Sequence, residues 1–594
     1  MKRITWLAVM FALILPWTTF ANDELLKLQK DDKQWVIPGK NYSSTRYSTL
    51  NKINTSNVKQ LRQVWSFSTG ALRGHEGQPL VVGNTMYIVS AYPNYVYALD
   101  LSKAGAPIKW SYSPKQDDRA VPVACCDLVH RGANYVAGKI LMATLDGQVL
   151  ALDANTGKEV WKIKNADPTK GETMTMAGLV VKDKYIVGVS GGEFGVRGWV
   201  AAYNINDGKL VWKAYSMGPD EDIKLAADFN SANPHYGQQG MGTSTWPGTM
   251  WQQGGGTTWG WYSYDPDLNL LYYSTGNPGT WNPTPRKGDN KWSMTIFARN
   301  PDTGEAKWGY QMTPWDAWDY DGINEHLLAD VTVGGKKVKA LIHFDRNGFG
   351  YTLDRTNGTL LTAQPFVSIN WATSIDMKTG RPVENPDKRT KQGADTKDIC
   401  PGAMGGKDQQ PSSFSPLTNL AYLGSNNICM NYEGVEVKYT AGAPYVGANV
   451  LMMPGPGGHL GEFIAWDPAR GKKVWGIKEP FPVWSGVLTT GGGLAFYATM
   501  DGWFKAVDQK SGNLLWKGRL PSGSIGNPIT YIGPDGKQYV AIYNGPGGWF
   551  GLPIAAGLSP QDPYGALGAV GIAYSSGLDK ATTLGGGVNV FALE

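Results

Sequence analysis

Ala202-Tyr203-Asn204-Ile205-Asn206-Asp207-Gly208-Lys209-Leu210-Val211-Trp212 is the stretch on which the fold turns. A short apolar step ends in an amide residue, a turn containing glycine follows, and the chain returns to a tryptophan. This reads as the end of one strand, a tight turn and a return strand. The pattern recurs as Ala98-Leu99-Asp100 to Trp110, Ala151-Leu152-Asp153 to Trp161 and Ala298-Arg299-Asn300 to Trp308. It returns as Ala465-Trp466-Asp467 to Trp475 and Ala506-Val507-Asp508 to Trp516, and a degenerate copy at Thr352-Leu353-Asp354 lacks the tryptophan. The two chain ends supply an eighth unit: Ala592-Leu593-Glu594 matches the start of the motif and Val64-Trp65 its end. Each tryptophan is expected to pack on the neighbouring unit. The repeats predict an all-β fold, an eight-bladed β-propeller of four-stranded antiparallel blades. The ring is closed by joining the N- and C-terminal strands, which removes exposed sheet edges. Long insertions between Trp212 and Ala298 and between Thr352 and Ala465 are expected to be loops over one face, where a site belongs.

Composition agrees with that architecture. The 594 residues include 76 Gly, 36 Pro, 24 Trp and 29 Tyr, with only 18% charged, which suits aromatic strands joined by tight turns. With 42% hydrophobic residues and no glycine period, neither disorder nor collagen fits. Lys2 and Arg3, the apolar run Trp6 to Leu15 and Thr19-Phe20-Ala21 read as an export leader over residues 1–21, cleaved near Ala21. The run is short for a membrane anchor, so a periplasmic location with no membrane span is expected, and residues 22–594 form a single propeller domain. Without Lys2 and Arg3 the formal charge falls from +5 to +3, too mild to imply nucleic acid.

The four cysteines form an even set in an exported chain, which favours two disulfides. Cys400 and Cys429 would close an ordinary loop. Cys125 and Cys126 either bond to each other, in a strained eight-membered ring of the kind that marks functional sites, or each pairs with a distant cysteine. No CxxCH occurs, so the chain carries no covalent haem of its own. Nor does any dinucleotide, Walker-type or GxSxG fingerprint sit between a strand and a helix.

Candidate chemistry centres on Trp318-Asp319-Tyr320-Asp321-Gly322, whose two carboxylates at i and i+2 in a loop can converge on one ion. Glu193 and Asn277 lie among glycines that let the backbone approach a ligand closely. An all-oxygen donor set selects a hard cation, whereas no cysteine and histidine cluster has zinc spacing.

Together with the adjacent cysteines, Gly74-His75-Glu76-Gly77-Gln78-Pro79 and His343-Phe344-Asp345-Arg346-Asn347-Gly348, these segments resemble the large subunit of pyrroloquinoline quinone (PQQ) dependent methanol dehydrogenases. The likeness runs over nearly the whole mature chain. It implies Glu193, Asn277 and Asp319 as metal ligands, Asp319 as catalytic carboxylate and Arg346 on the quinone oxygens. It implies Trp259 as the floor of the cofactor site and a bonded Cys125–Cys126 pair as its lid. Glu76, Arg131, Thr175, Ser190, Gly191, Gly192, Thr257, Asp408, Trp484 and Trp549 match positions lining the cofactor or its pocket; relatives carry Asn at the position of Asp408. Calcium-type members have Ala two residues after the catalytic Asp. Here Asp321 stands there, which resembles the lanthanide-dependent Xox type and adds a fourth metal ligand. Four negative charges around one ion also favour a trivalent cation over calcium.

The resemblance therefore implies a periplasmic dehydrogenase oxidising primary alcohols to aldehydes, with PQQ, a lanthanide(III) ion and a soluble c-type cytochrome as electron acceptor. It also implies a homodimer. Rival readings are an enzyme preferring ethanol or larger alcohols, a calcium-dependent enzyme, and a non-catalytic scaffold propeller, which would have no use for the acidic set and the paired cysteines together.

Overall fold

The computed structural model describes residues 20–594. Residues 1–19 of the expected leader lie outside the described residues, and its expected end at Ala21 falls in the helix Phe20–Leu28. Among the described residues no helix is long and apolar enough to cross a membrane.

Eight sheets contain four or five strands. Five of them are consecutive in the chain, spanning 80–112, 134–164, 179–215, 263–311 and 327–365. The sixth joins Ser413–Ser415 and Leu420–Asn426 to Gly461–Asp467 and Lys472–Glu479. The seventh spans 488–519 and gains Tyr47–Ser48 as a parallel fifth strand. In the eighth, the N-terminal strand Leu61–Ser68 pairs antiparallel with the C-terminal strand Gly587–Leu593.

The repeated motif forms the outer hairpin of seven of the eight sheets, and its register is constant. Ala98 faces Trp110, Ala202 faces Trp212, Ala298 faces Trp308 and Ala506 faces Trp516, each with a β-bulge immediately beyond. The tryptophan then reaches the next sheet. Trp110 Nε1 donates to Ala154 O at 3.0 Å, Trp161 to Ile205 O at 3.0 Å, Trp212 to Pro301 O at 2.8 Å and Trp308 to Arg355 O at 3.3 Å. Trp475 and Trp516 continue the series to Gln509 O and Leu61 O. Glycine in the receiving turn is obligatory: Gly304 has φ +76°, and a Cβ there would stand 2.6 Å from the Trp212 ring. In the degenerate unit Thr362 takes the tryptophan's place opposite Thr352, and both hydroxyls reach Pro468 O, at 3.4 and 2.8 Å. The link survives with a smaller side chain.

The terminal unit corrects the sequence alignment. Trp65 faces Val590 rather than Ala592, with the bulge between Gln63 and Trp65. The structural equivalent of Ala202-Tyr203-Asn204 is therefore Val590-Phe591-Ala592, two residues earlier than the Ala592-Leu593-Glu594 match. Val590 fills the same small buried position, so residue type alone misplaced the register.

A second difference concerns the insertion between Thr352 and Ala465, which is not all loop. It contains the hairpin Ala372–Ile375 with Pro382–Glu384 and a three-stranded sheet of Asp395–Ile399, Ile428–Gly434 and Ala448–Pro454. The Cys400–Cys429 disulfide braces this sheet, and Ile428, Met430 and Tyr432 bury into the same apolar cluster as Trp484 and Trp549. The insertion after Trp212 is not all loop either: it holds short helices, among them Asp220–Ile223 and Met241–Ser244, and the first two strands of its sheet, Ser263–Asp265 and Leu270–Ser274.

Candidate active site

The loop carrying Asp319 is shaped by a neighbouring carboxylate. Asp316, 1% exposed, accepts the backbone N–H groups of Trp318, Asp319 and Tyr320 at 3.3, 3.0 and 3.3 Å. Gathering three donors on one side chain holds Asp319 at φ +66°, a left-handed conformation that needs such support. The carboxylates of Asp319 and Asp321 are thereby turned into a cavity with Glu193, and one oxygen from each of the three lies within 4.8 Å of the others. Asp321 Oδ1 also accepts the N–H of Asn277 at 2.7 Å. That approach requires glycine at 276, where a Cβ would stand 2.2 Å from the same oxygen.

Arg346 is the cation of this cluster. It lies 3.3 Å from Asp319 Oδ2, 3.4 Å from Asp321 Oδ2 and 2.8 Å from Asp408 Oδ1. Four carboxylates, counting Glu193, thus share one guanidinium. Burial raises the pKa of Asp319, Asp321 and Glu193, and repulsion from neighbouring carboxylates adds to it for the first two. The Asp319 carboxyl is pushed well above its ordinary range by burial, then by Asp321. Burial lifts Asp321 to about 7 and raises Glu193. Asp319 Oδ1 is buried without any protein partner. Such an arrangement is costly unless a further positive charge enters it. Hard cations hold oxygens at about 2.3–2.6 Å, so oxygens up to roughly 5 Å apart can share one ion. The three carboxylates meet that limit with oxygen donors only.

Beside the acidic cluster the cavity is walled by aromatic and sulfur surface. Trp259 lines it, with the Arg131 guanidinium 4.8 Å and that of Arg346 5.6 Å from its ring centre. Cys125 and Cys126 are bonded to each other and line the same space, as does Trp549. A polar chain crosses the wall: Glu76 Oε2 lies 2.7 Å from Arg131, which donates to Thr175 Oγ1 at 2.6 Å, itself 3.4 Å from Ser190 Oγ. Burial pushes the Glu76 carboxyl up to about 8 against the pull of Arg131.

Of the residues singled out in the sequence, Glu76, Cys125, Cys126, Arg131, Thr175, Ser190, Gly191, Glu193, Trp259, Asp319, Asp321, Arg346, Asp408 and Trp549 all border one cavity. Gly192, Thr257, Asn277 and Trp484 are not among the residues that border it. The Asn277 and Thr257 side-chain oxygens face Gly192, 3.2 and 3.5 Å from where its Cβ would be. The Trp484 ring backs Gly548, next to Trp549, and donates to Asn426 Oδ1. Sequence reasoning missed Val123, Ala124, Asp127, Val129 and Thr173, which also line the cavity, and Asp316. Asp127 had one available signal, its position directly after the cysteine pair.

Comparison with known proteins places the chain among related ones. The family described as "PQQ: Glucose/ethanol/alcohol dehydrogenase, beta-propeller domain" matches residues 35–366 and 464–540. The lanthanide-dependent methanol dehydrogenase of Methylacidiphilum fumariolicum strain SolV is 67% identical over 97% of this chain and 95% of its own. The methanol dehydrogenase [cytochrome c] subunit 1 of Methylorubrum extorquens is 51% identical over 97% of this chain and 93% of its own. A solved europium-containing methanol dehydrogenase superposes with a TM-score of 0.96 at 66% identity, over 96% of this chain and 100% of that one.

Proposed function

The chain belongs to the PQQ-dependent glucose, ethanol and alcohol dehydrogenase family with a β-propeller domain, and from that premise we propose a methanol-type alcohol dehydrogenase that uses PQQ and a lanthanide(III) ion. The observation that carries this reading is the convergence of Glu193, Asp319 and Asp321 within 4.8 Å, four carboxylates there sharing only Arg346. A trivalent ion offsets more of that repulsion than calcium does.

Glu193, Asp319 and Asp321 would hold the ion directly, with Asn277 completing the set from beside Gly192. Trp259 and the Cys125–Cys126 pair would enclose the flat cofactor. Glu76, Arg131, Thr175, Ser190 and Asp408 would supply its polar contacts, and Gly191, Gly192, Thr257, Trp484 and Trp549 would shape or back the wall. When bound, the quinone would supply a two-electron, hydride-accepting redox centre and the ion Lewis acidity. Asp319, whose Oδ1 has no protein partner, takes the proton of the alcohol hydroxyl as general base. Arg346 holds Asp319, Asp321 and Asp408 in register and presents positive charge to developing negative charge. Trp549 and the cysteine pair exclude water.

The eight sheets would stand as blades of one ring, closed where Leu61–Ser68 meets Gly587–Leu593. Residues 22–594 would form one exported, periplasmic domain, active as a homodimer, that oxidises small primary alcohols to aldehydes and passes electrons to a soluble c-type cytochrome. Elemental analysis of purified holoenzyme, together with its absorption spectrum, tests the reading. One lanthanide per chain with a quinone band outside the protein absorption is expected. Calcium in its place, or no quinone band, overturns it.

A further inference from the structure

Asp127 follows the cysteine pair and has φ +100°. Its side chain is fully inaccessible although the residue borders the cavity. Oδ2 accepts the N–H of Gly548 at 3.0 Å. Oδ1 accepts the N–H of Leu128 at 2.8 Å and lies 3.2 Å from Nε of Arg73, whose side chain is 24% exposed. Glycine at 547 lets the carboxylate in: a Cβ there would stand 2.2 Å from Asp127 Oδ2. The third segment is pinned beside them, with Gly74 N–H donating to Pro546 O at 2.9 Å. Three distant stretches of chain meet at one carboxylate, and each carries a wall residue of the cavity: Glu76, the Cys125–Cys126 pair and Trp549.

We propose that Asp127 is a positioning residue, a latch that ties the cysteine pair to the helix Gly548–Ala555 and so sets how fast bound quinone leaves the cavity. The proposal rests on the reading of this cavity as the quinone site. Hydrogen bonds to a carboxylate are about twice as strong as neutral ones. Opening the mouth would leave Asp127 Oδ2 buried without its Gly548 partner, a costly state. The cysteine pair has no other hydrogen-bonded tie to the helix that bears Trp549 among the described residues. Removing the carboxylate should therefore loosen two walls at once while leaving the acidic cluster and Arg346 untouched.

The test compares quinone release from holoenzyme of the wild type, Asp127→Asn and Asp127→Ala. Each is passed through a desalting column after timed dilution, and the quinone still bound is read from its absorbance. Asp127→Ala should release quinone at least about tenfold faster, and Asp127→Asn, which keeps an oxygen for the Gly548 N–H, should return to within about threefold of the wild type. Rescue by the amide separates a latch from general destabilisation. Equal release from the wild type and Asp127→Ala overturns the proposal, as does an Asp127→Asn protein as leaky as Asp127→Ala. Should Asp127→Ala fail to fold, Arg73→Gln replaces it: about threefold faster release supports the latch, and an unchanged rate overturns it. A wild-type protein that takes up no quinone overturns the functional reading instead, and is seen before any variant is compared.

Discussion

Asp321 Oδ1 accepts the backbone N–H of Asn277 at 2.7 Å, so one candidate metal ligand anchors the segment bearing another. Its other oxygen faces Arg346 at 3.4 Å. Asp321 thus has two separable contributions, a charge in the acidic cluster and a mooring for Asn277, and the two respond differently to substitution.

Asp321→Ala removes both contributions and Asp321→Asn only the charge. Titration of metal-free protein with europium, followed by its luminescence, should show affinity falling by at least about 100-fold for Asp321→Ala and by about 10-fold for Asp321→Asn. Alcohol turnover with lanthanide should fall in the same order. Lanthanide-dependent turnover retained by Asp321→Ala would remove this residue from the metal's selection.

Asp319→Asn keeps the size of the side chain and its hold on the Asp316-capped loop, but not its basicity. Alcohol-dependent dye reduction should drop by about 10²- to 10⁴-fold while the cofactor spectrum persists. Turnover within a few-fold of the wild type would assign the base elsewhere.

Trp212 represents the link between sheets. It is 5% exposed, donates to Pro301 O and lies against Gly304. Trp212→Ala opens a cavity on that glycine and should cost about 3–5 kcal/mol of stability, measured as a shift in the denaturant midpoint. A loss under about 1 kcal/mol would mean that this contact does not hold the sheets together.

Acid should destabilise the fold through buried histidines. His130 Nε2 donates to Ala143 O at 2.9 Å and its Nδ1 accepts the Gly132 N–H at 3.1 Å, so the neutral ring is fully used, and burial pushes its pKa down to about 4. Folded pKa lies below unfolded, so this contribution is intact above about pH 6.5 and lost as pH falls towards 4, at up to about 1.4 kcal/mol per pH unit. Denaturation midpoints at pH 7, 5.5 and 4.5 should fall less steeply in His130→Gln. Parallel slopes in the two proteins would place the acid sensitivity at other groups.

The blade motif was legible because its causes are local. Alternation, an Asp or Asn turn with glycine and a returning tryptophan lie within about a dozen residues of one another, so strand pairing and the next-sheet contact leave a repeating trace. The convergence of Asp319 and Asp321 was legible for the same reason, since the two are neighbours in one loop. Where residue type was the only guide, the reading slipped: Val590 and Ala592 are both small and apolar, and only the bulge at Gln63–Trp65 distinguishes them. Glycines on either side marked Glu193 as a candidate, whereas the resemblance to a known family, rather than periodicity, pointed to Trp259 and Arg346.

What tertiary structure alone decided is which of 50 acidic residues share one buried space. Asp316 carries no signature in the sequence and Asp127 only its place after the cysteine pair, because the backbone N–H groups they hold acquire a direction only once the loops are built and the sheets packed. Glu193 and Asn277 lie in loops within two different sheets and Asp319 in the connection between two sheets, and no spacing rule connects segments that meet only when several sheets have packed. Sequence by itself determined the repeating unit and the kinds of donor atom on offer. Packing determined which donors face one another, at what separation and out of reach of water, because burial and convergence belong to the assembled fold.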